Sequence, residues 1–453
     1  MTAHASSLDE AVAERERVLT GFLEANQDVI ARACHDMARA FARGGILIPF
    51  GTGPAATDAA HVAVEFMHPV VVGKRALPAI APTNDPAREC RVDRIGRAGD
   101  IALSIAHRSG DGKATAFLAS ARRQGLLTVA LEAGPATAIA DHVLAVDSDD
   151  AAIVQEVQET AYHVLWELVH VFFEHPGLLD EACITCGDVA VEAVVVEVAG
   201  VRAVVERDGA REEIAVDLVD AVQVGDVLLC HAGVALERLE RPEAQAPPVP
   251  DPTGFLYPFF ERTETDLDAV LADVRASTTG KGRDTIALRA TIDLDAVEAA
   301  ARGLRAALDA GARILTFGNG GSATDAQDLA ADALARGWPA LSLVNDVSTI
   351  TAVANDVGFG NVFARQVIAL GRGRDVAIGI STSGSSPDVI AALEEARRRQ
   401  MLTVAIVGYD GGRIGELKWI DHLLTVDGDY VPRLQEAQAT IYHLLLDITG
   451  SRT

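Results

Sequence analysis

The chain repeats itself, and the repeat decides most of what it can fold into. ILIPFGTGPAATDAAHVAVEF (46–66) reads against ILTFGNGGSATDAQDLAADAL (314–334) with an offset of 267 residues. LLTVAL (126–131) matches MLTVAI (401–406) at 275, and ADHVLAVD (140–147) matches IDHLLTVD (420–427) at 280. Gln155-Glu156 and His163 match Gln435-Glu436 and His443, again at 280. A drift of a few residues is what loop insertions between equivalent elements produce. Two copies of one domain must therefore fold alike.

Each copy opens with helical patterning, then a short apolar run (ILIPF, ILTF), a glycine turn and a helix. Runs such as LLTVAL and HVLAVD are apolar on both faces, as buried parallel strands are. Alternation of such runs with helices predicts an α/β protein with two doubly wound parallel sheets. A long amphipathic helix is expected to close each copy, over 151–174 and 431–449. Between the copies, residues 189–239 are dense in Val with period-two stretches, and turn signals stand at Ala199-Gly200, Asp208-Gly209 and Gly225-Asp226. That pattern predicts a small β-barrel domain. The expected boundaries are 1–178 for the first copy, 179–240 for the barrel, 241–253 for a Pro-rich linker and 254–453 for the second copy.

With 65 acidic against 39 basic residues, the net charge of −26 argues against nucleic acid and against an anionic membrane as partners. Any anionic ligand must be held by local backbone dipoles and chosen side chains. No run of 18 apolar residues and no signal-like N-terminus occurs, so a cytoplasmic protein is expected. The five cysteines, Cys34, Cys90, Cys183, Cys186 and Cys230, are too scattered for a disulfide framework.

Two strand-to-helix turns of the second copy are rich in hydroxyls. FGNGGSATD (317–325) offers backbone N–H groups and Ser322, and ISTSGSSPD (380–388) offers Ser381, Thr382, Ser383, Ser385 and Ser386. Such hydroxyls also cap helices. Two such turns on the ligand edge of one sheet favour a phosphate monoester.

GNGGS, STSGSS and the distal RLQE…H pattern resemble the SIS (sugar isomerase) domain, and among its members the phosphoheptose isomerases. The resemblance implies a metal and acid–base set of His61, Glu65, Gln155 and His163 in the first copy, with zinc as the expected ion. Glu65 and His163 would be the catalytic acid/base pair. His61 and Glu65 lie four apart, on one helix face. In the second copy the corresponding residues are Asp328, Asp332, Gln435 and His443, a weaker set. Asn319, Ser322, Asp346, Ser381, Thr382, Ser383 and Ser386 are the implied substrate contacts of the second copy. Asp85 and Ser109 are those of the first, where Ala55 replaces Ser322 and His107-Arg108-Ser109-Gly110-Asp111-Gly112 replaces the hydroxyl nest. Copy one thus keeps the catalytic set and copy two the anion site. One shared site is expected across the domain contact, with His61, Glu65, Gln155 and His163 facing the Ser381–Ser386 nest; the alternative is two separate sites, a catalytic one with a poor anion pocket and a non-catalytic one that binds ligand. Pairing of this kind also implies a homo-oligomer.

The middle segment resembles the HypC/HupF family of [NiFe]-hydrogenase assembly chaperones, through CITCGDVAVEAVVVEV, REEIAVDLV and VGDVLLCHAGVALERL. Family members work through an N-terminal Cys that holds iron. Cys183, internal here, occupies that place, and His231 matches the family histidine. The resemblance implies transient iron at Cys183 and hydrogenase assembly proteins as partners. Cys183-x-x-Cys186 also reads as a redox pair. Three functions follow: a sugar-phosphate isomerase acting on D-sedoheptulose 7-phosphate, a phosphosugar-binding scaffold in hydrogenase maturation, or a DiaA-like binder of another protein.

Overall fold

The computed structural model describes residues 2–69, 74–82, 92–179, 266–451 and, apart from short breaks at 201, 208–209, 217–218, 220–221 and 232–233, residues 191–239. The expected linker, Asp85 and Cys183 lie outside the described residues.

The first copy forms a four-stranded parallel sheet of β1 (Leu47–Gly51), β2 (Ile101–Ile105), β3 (Leu127–Ala133) and β4 (His142–Val146), in that spatial order. β1 and β2 are buried at every position, because helices cover both faces of the sheet. A lone bridge between Leu47 and Ala79 marks a further edge position beside β1.

The middle segment closes into a barrel of β5 (Val191–Ala199), β6 (Arg202–Arg207), β7 (Ala210–Ala215), β8 (Val227–His231) and β9 (Val234–Leu239), ordered β5-β6-β7-β9-β8. Its interior holds Ala193, Val195, Ala203, Val205, Ile214, Leu228, Cys230 and Ala235. These are the inward members of the alternating runs read in the sequence.

The second copy has a five-stranded parallel sheet of β10 (Ile314–Gly318), β11 (Ala340–Ser342), β12 (Val376–Ser381), β13 (Leu402–Gly408) and β14 (His422–Val426), ordered β11-β10-β12-β13-β14. Strand order reverses at β10. Ligands of such sheets bind outside the carboxyl ends of the strands at that switch point, where β10 and β12 end in the two hydroxyl-rich turns.

The closing helices, Ala151–Phe173 and Val431–Gly450, differ from their expected character. Every residue from Ile153 to Phe172 is buried, polar ones included, so the first is not an amphipathic surface helix. It is enclosed by the N-terminal helix Thr2–Ala42, the helix Ala55–Met67 and the second closing helix. The helices after the two glycine turns, Ala55–Met67 and Gly321–Ala335, also pack on each other, so the copies meet as a pseudo-dimer within one chain.

Candidate functional site at the contact of the two copies

Charged residues of the closing helices are buried because each meets an arginine or lysine and hydrogen-bond donors, drawn from both copies. Glu436 accepts from His163 Nδ1 (3.1 Å), Thr160 Oγ1 (3.0 Å) and Thr285 Oγ1 (2.6 Å), and pairs with Arg433. By the same pseudo-symmetry, Glu156 accepts from His443 Nδ1 (3.0 Å), Thr440 Oγ1 (2.7 Å) and Arg15 Nε (2.9 Å). Burial alone would raise both carboxyls. The Arg433 and His163 charges overrule it at Glu436, which falls to about 2, and Arg15 with His443 holds Glu156 lower still. Each histidine is oriented by a glutamate of the opposite copy.

That orientation leaves His163 Nε2 buried and without a hydrogen-bond partner. Beside it stands the helix Ala55–Met67, which carries His61 and Glu65. His61 Nε2 lies 3.7 Å from Glu65 Oε1, while its Nδ1 meets the Tyr162 hydroxyl at 3.0 Å. Ligand atoms of His61, Glu65 and His163 all lie within 4.8 Å of one another, and all three residues are buried. Glu65 Oε2 is also unpartnered. Burial pushes the Glu65 carboxyl up, but His61 and then His163 outweigh it and hold Glu65 below its usual value. Three convergent lone-pair donors, two of them with orphaned buried atoms, fit a cation.

The glutamine near this cluster comes from the second copy. Gln435 Nε2 lies 3.5 Å from His61 Nε2, and Gln435 Oε1 has no partner. Gln155 turns instead to Asp58 Oδ1 (3.1 Å) and Glu159 Oε2 (3.4 Å), so the structure groups Gln435, not Gln155, with His61. The pseudo-twofold relation exchanges the glutamines between sites, a fact that matching residues along the repeat does not reveal.

The second copy's glycine turn closes over the same cluster. Gly320 has φ 57° and ψ −127°, a backbone that favours glycine. A side chain at Gly321 would overlap the Gln435 amide and press on His61 Nε2. Ser322 Oγ and Thr382 Oγ1 are 3.2 Å apart, and Thr382 donates to Gln438 Oε1 at 3.4 Å. Ser381 and Ser386 hydroxyls are 3.0 Å apart, while Ser383 Oγ accepts from the Ser385 amide at 3.2 Å. Asn319 donates to Asp388 (2.9 Å). Helices Gly321–Ala335, Pro387–Arg398 and Val431–Gly450 all start without a side-chain cap, so the N–H groups of their first turns stay available to an anion, except at Pro387 and Pro432, which have none.

The other expected contacts sit elsewhere. Asp346 is exposed and caps its own helix through Thr349, and Ser109 donates to the Ala133 carbonyl (3.0 Å). Asp328, Asp332 and His443 form a separate group, with His443 Nε2 3.8 Å and 3.6 Å from the two carboxylates. His231 ends β8, and its side chain, like Cys183, lies outside what is described.

Sequence reasoning missed Glu159 and Asp325, which form a second group of potential ligands with His61. Burial drives both carboxyls well above their usual range, reinforced at Glu159 by Asp325 and at Asp325 by Asp328. Both carry a sequence signal: Glu159 lies midway between Gln155 and His163 at helical spacing, and Asp325 ends the GNGGSATD turn.

This chain belongs to the SIS domain family, whose model matches residues 12–133 and 287–408. It is a tandem member of the phosphoheptose isomerase type, and the HupF/HypC family model matches residues 189–247 between the copies. The phosphoheptose isomerase of Desulfovibrio desulfuricans is 49% identical over 152 residues, which are 32% of this chain and 71% of that protein. That of Helicobacter pylori is 48% identical over 141 residues, 30% of this chain and 72% of that protein. The C-terminal domain of glucosamine-fructose-6-phosphate aminotransferase from Francisella tularensis is similar in fold over 97% of this chain and 95% of its own, with TM-score 0.54 at 10% identity. Among the described residues, no helix is long and apolar enough to cross a membrane.

Proposed function

We propose that the two copies build one isomerase site between them, which interconverts the ketose and aldose forms of a sugar phosphate, with D-sedoheptulose 7-phosphate as the substrate. The observation that carries this reading is the approach of Gln435 and the Gly321 turn of copy two to His61 of copy one. The phosphate would sit on the uncapped helix starts and the hydroxyls of Ser322, Thr382 and Ser381–Ser386. The sugar would extend from there towards Glu65 and His163. Glu65, ionised because His61 and His163 hold it so, takes the proton from C1 of the ketose and returns it to C2. His163, pinned through Nδ1 by Glu436, presents Nε2 to move the proton between the two substrate oxygens. His61, Glu65 and Gln435 are the residues that would hold a zinc ion, joined by His163 Nε2 only while it carries no proton, and the ion would supply polarisation of a carbonyl when bound. Exclusion of water is consistent with burial of all three copy-one residues.

The test is incubation of purified protein with sedoheptulose 7-phosphate in D2O, followed by NMR and elemental analysis. An aldose signal with deuterium at C2, together with bound zinc, supports the reading. Neither signal nor metal contradicts it.

The family match at 189–247 favours a second role for the barrel, in handling iron for hydrogenase assembly. Cys183→Ser should then abolish capture of hydrogenase assembly proteins by the full chain. Unchanged capture would dismiss that role.

A further inference from the structure

At the amino ends of β12, β13 and β14 the second copy carries an open cleft of about 770 Å³. Its lining includes Arg374, Arg397, Gln400, Lys418, Trp419 and Asp421. The hydroxyl turns stand at the carboxyl ends of β10 and β12, so this cleft and the proposed isomerase site occupy opposite edges of one sheet.

Copy one folds the same way at this edge, and the difference between the copies shows what copy two has gained. The Gly99 amide donates to the Gly125 carbonyl at 3.1 Å, and the Arg374 amide donates to the Gln400 carbonyl at 3.1 Å. Asp141 accepts from the Thr128 amide at 2.9 Å, as Asp421 does from the Thr403 amide at 2.8 Å. These bonds fix the register: Arg374, Gln400, Lys418 and Trp419 stand where copy one has Gly99, Gly125, Ala138 and Ile139. Gly99 and Gly125 have φ of 94° and 78°, left-handed values that glycine adopts without strain. Arg374 and Gln400 keep that backbone, at φ 80° and 59°, although a Cβ is disfavoured there. Two strained residues therefore stand together at one cleft, as strain does at functional sites.

The added side chains also bring positive charge that the protein leaves unanswered. Those of Arg374 and Lys418 are exposed and make no ion pair or hydrogen bond among the described residues. Arg397 makes no ion pair among the described residues either, and its guanidinium lies 5.0 Å from the centroid of the Trp419 ring. Trp419 is half-buried and rests on the core of the second copy. Asp421 Oδ2 is committed to the Thr403 amide and hydroxyl, at 2.8 Å each. Three cations thus gather round an indole in a chain whose net charge is −26. The dipole of the helix Pro387–Arg398 accounts for Arg397 at its end, where copy one has Arg122. It does not account for Arg374, Lys418 or Trp419.

We propose that this cleft binds a purine nucleoside diphosphate, with the base stacked against the Trp419–Arg397 pair and the phosphates on Arg374 and Lys418. An indole beside a guanidinium suits a flat π system, and the flanking cations suit a compact anion. The volume falls within the range of about 300–1,000 Å³ usual for small-molecule sites. A polynucleotide would need a broad basic field, which the overall charge denies it. Because the two sites lie on opposite edges of the sheet, the nucleotide and a sugar phosphate bind at the same time.

The test is isothermal titration calorimetry of the full-length chain with ADP and GDP, and with adenosine and pyrophosphate as the separated halves. One nucleotide should bind per chain, roughly tenfold or more tightly than either half. Trp419→Ala and Arg374→Gly should each weaken it by roughly tenfold or more, the first by loss of stacking and the second by loss of a charged donor. Saturating sedoheptulose 7-phosphate should leave the affinity unchanged. Arg374→Gly installs the residue of copy one, so its melting midpoint by circular dichroism should not fall. Absence of heat with both nucleotides, or pyrophosphate binding as tightly as they do, would overturn the assignment. So would unchanged affinity in either variant, displacement by the sugar phosphate, or a lower midpoint in Arg374→Gly, which would mean that the arginine serves the fold. No readout involves turnover, so failure of the isomerase reading would leave the result standing.

Discussion

Glu436→Gln removes the charge that orients His163 from across the domain contact, and its cost is set by what Glu436 answers. The carboxylate is fully buried, accepts three side-chain hydrogen bonds and pairs with Arg433. Its carboxyl is held at about 2 against an ordinary 4.5, a difference worth about 3 kcal/mol at ~1.4 kcal/mol per pH unit. Because the folded value is the depressed one, this stabilisation is complete above about pH 4.5 and is lost as pH falls towards 2. Arg433 retains Glu167 at 2.7 Å, so the arginine is not stranded and the loss stays near about 3 kcal/mol instead of the upper end for a broken buried pair. Urea unfolding of the first cooperative transition should show Glu436→Gln less stable by about 3 kcal/mol at pH 7, and by only about 1 kcal/mol near pH 3. A variant within 0.5 kcal/mol of the wild type at pH 7, or a gap independent of pH, would refute the argument.

Glu65→Gln should keep the fold and lower kcat by about 10²–10⁴, as loss of a general base does, measured by coupled or NMR isomerase assay. Gly321→Ala should lower both zinc content and turnover, because its methyl group would displace the Gln435 amide and His61; elemental analysis and the same assay check it.

Much of the architecture is legible along the chain. Short apolar runs between helices foretell the parallel sheets, and the Val-rich alternation foretells the barrel, because burial on both faces and on one face leave different periods. The hydroxyl turns likewise fall at the switch point of the second sheet. What the chain does not show is which copy serves which site. Gln155 and Gln435 are equivalent in sequence, and only the packing of the closing helices sends Gln435 to His61. The same packing buries Glu156 and Glu167, whose counter-charges Arg15, Lys281 and Arg433 lie far away in sequence, and sends the distant His163 to Glu436. It also explains why a helix rich in Gln, Glu and His is enclosed on all sides. Asp111 reads as a loop residue in the sequence, and only the structure shows that it caps the helix Gly112–Arg123.

The central claim is that catalytic groups of one copy act on a phosphate held by the other. Ser322→Ala combined with Thr382→Val removes two linked hydroxyls of copy two without touching His61, Glu65 or His163. Steady-state kinetics on sedoheptulose 7-phosphate should show KM raised roughly tenfold or more, from about 1–3 kcal/mol of lost hydrogen bonding to a charged group, with kcat little changed. Unaltered KM in that variant, alongside turnover abolished by Glu65→Gln, would contradict a site shared between the copies.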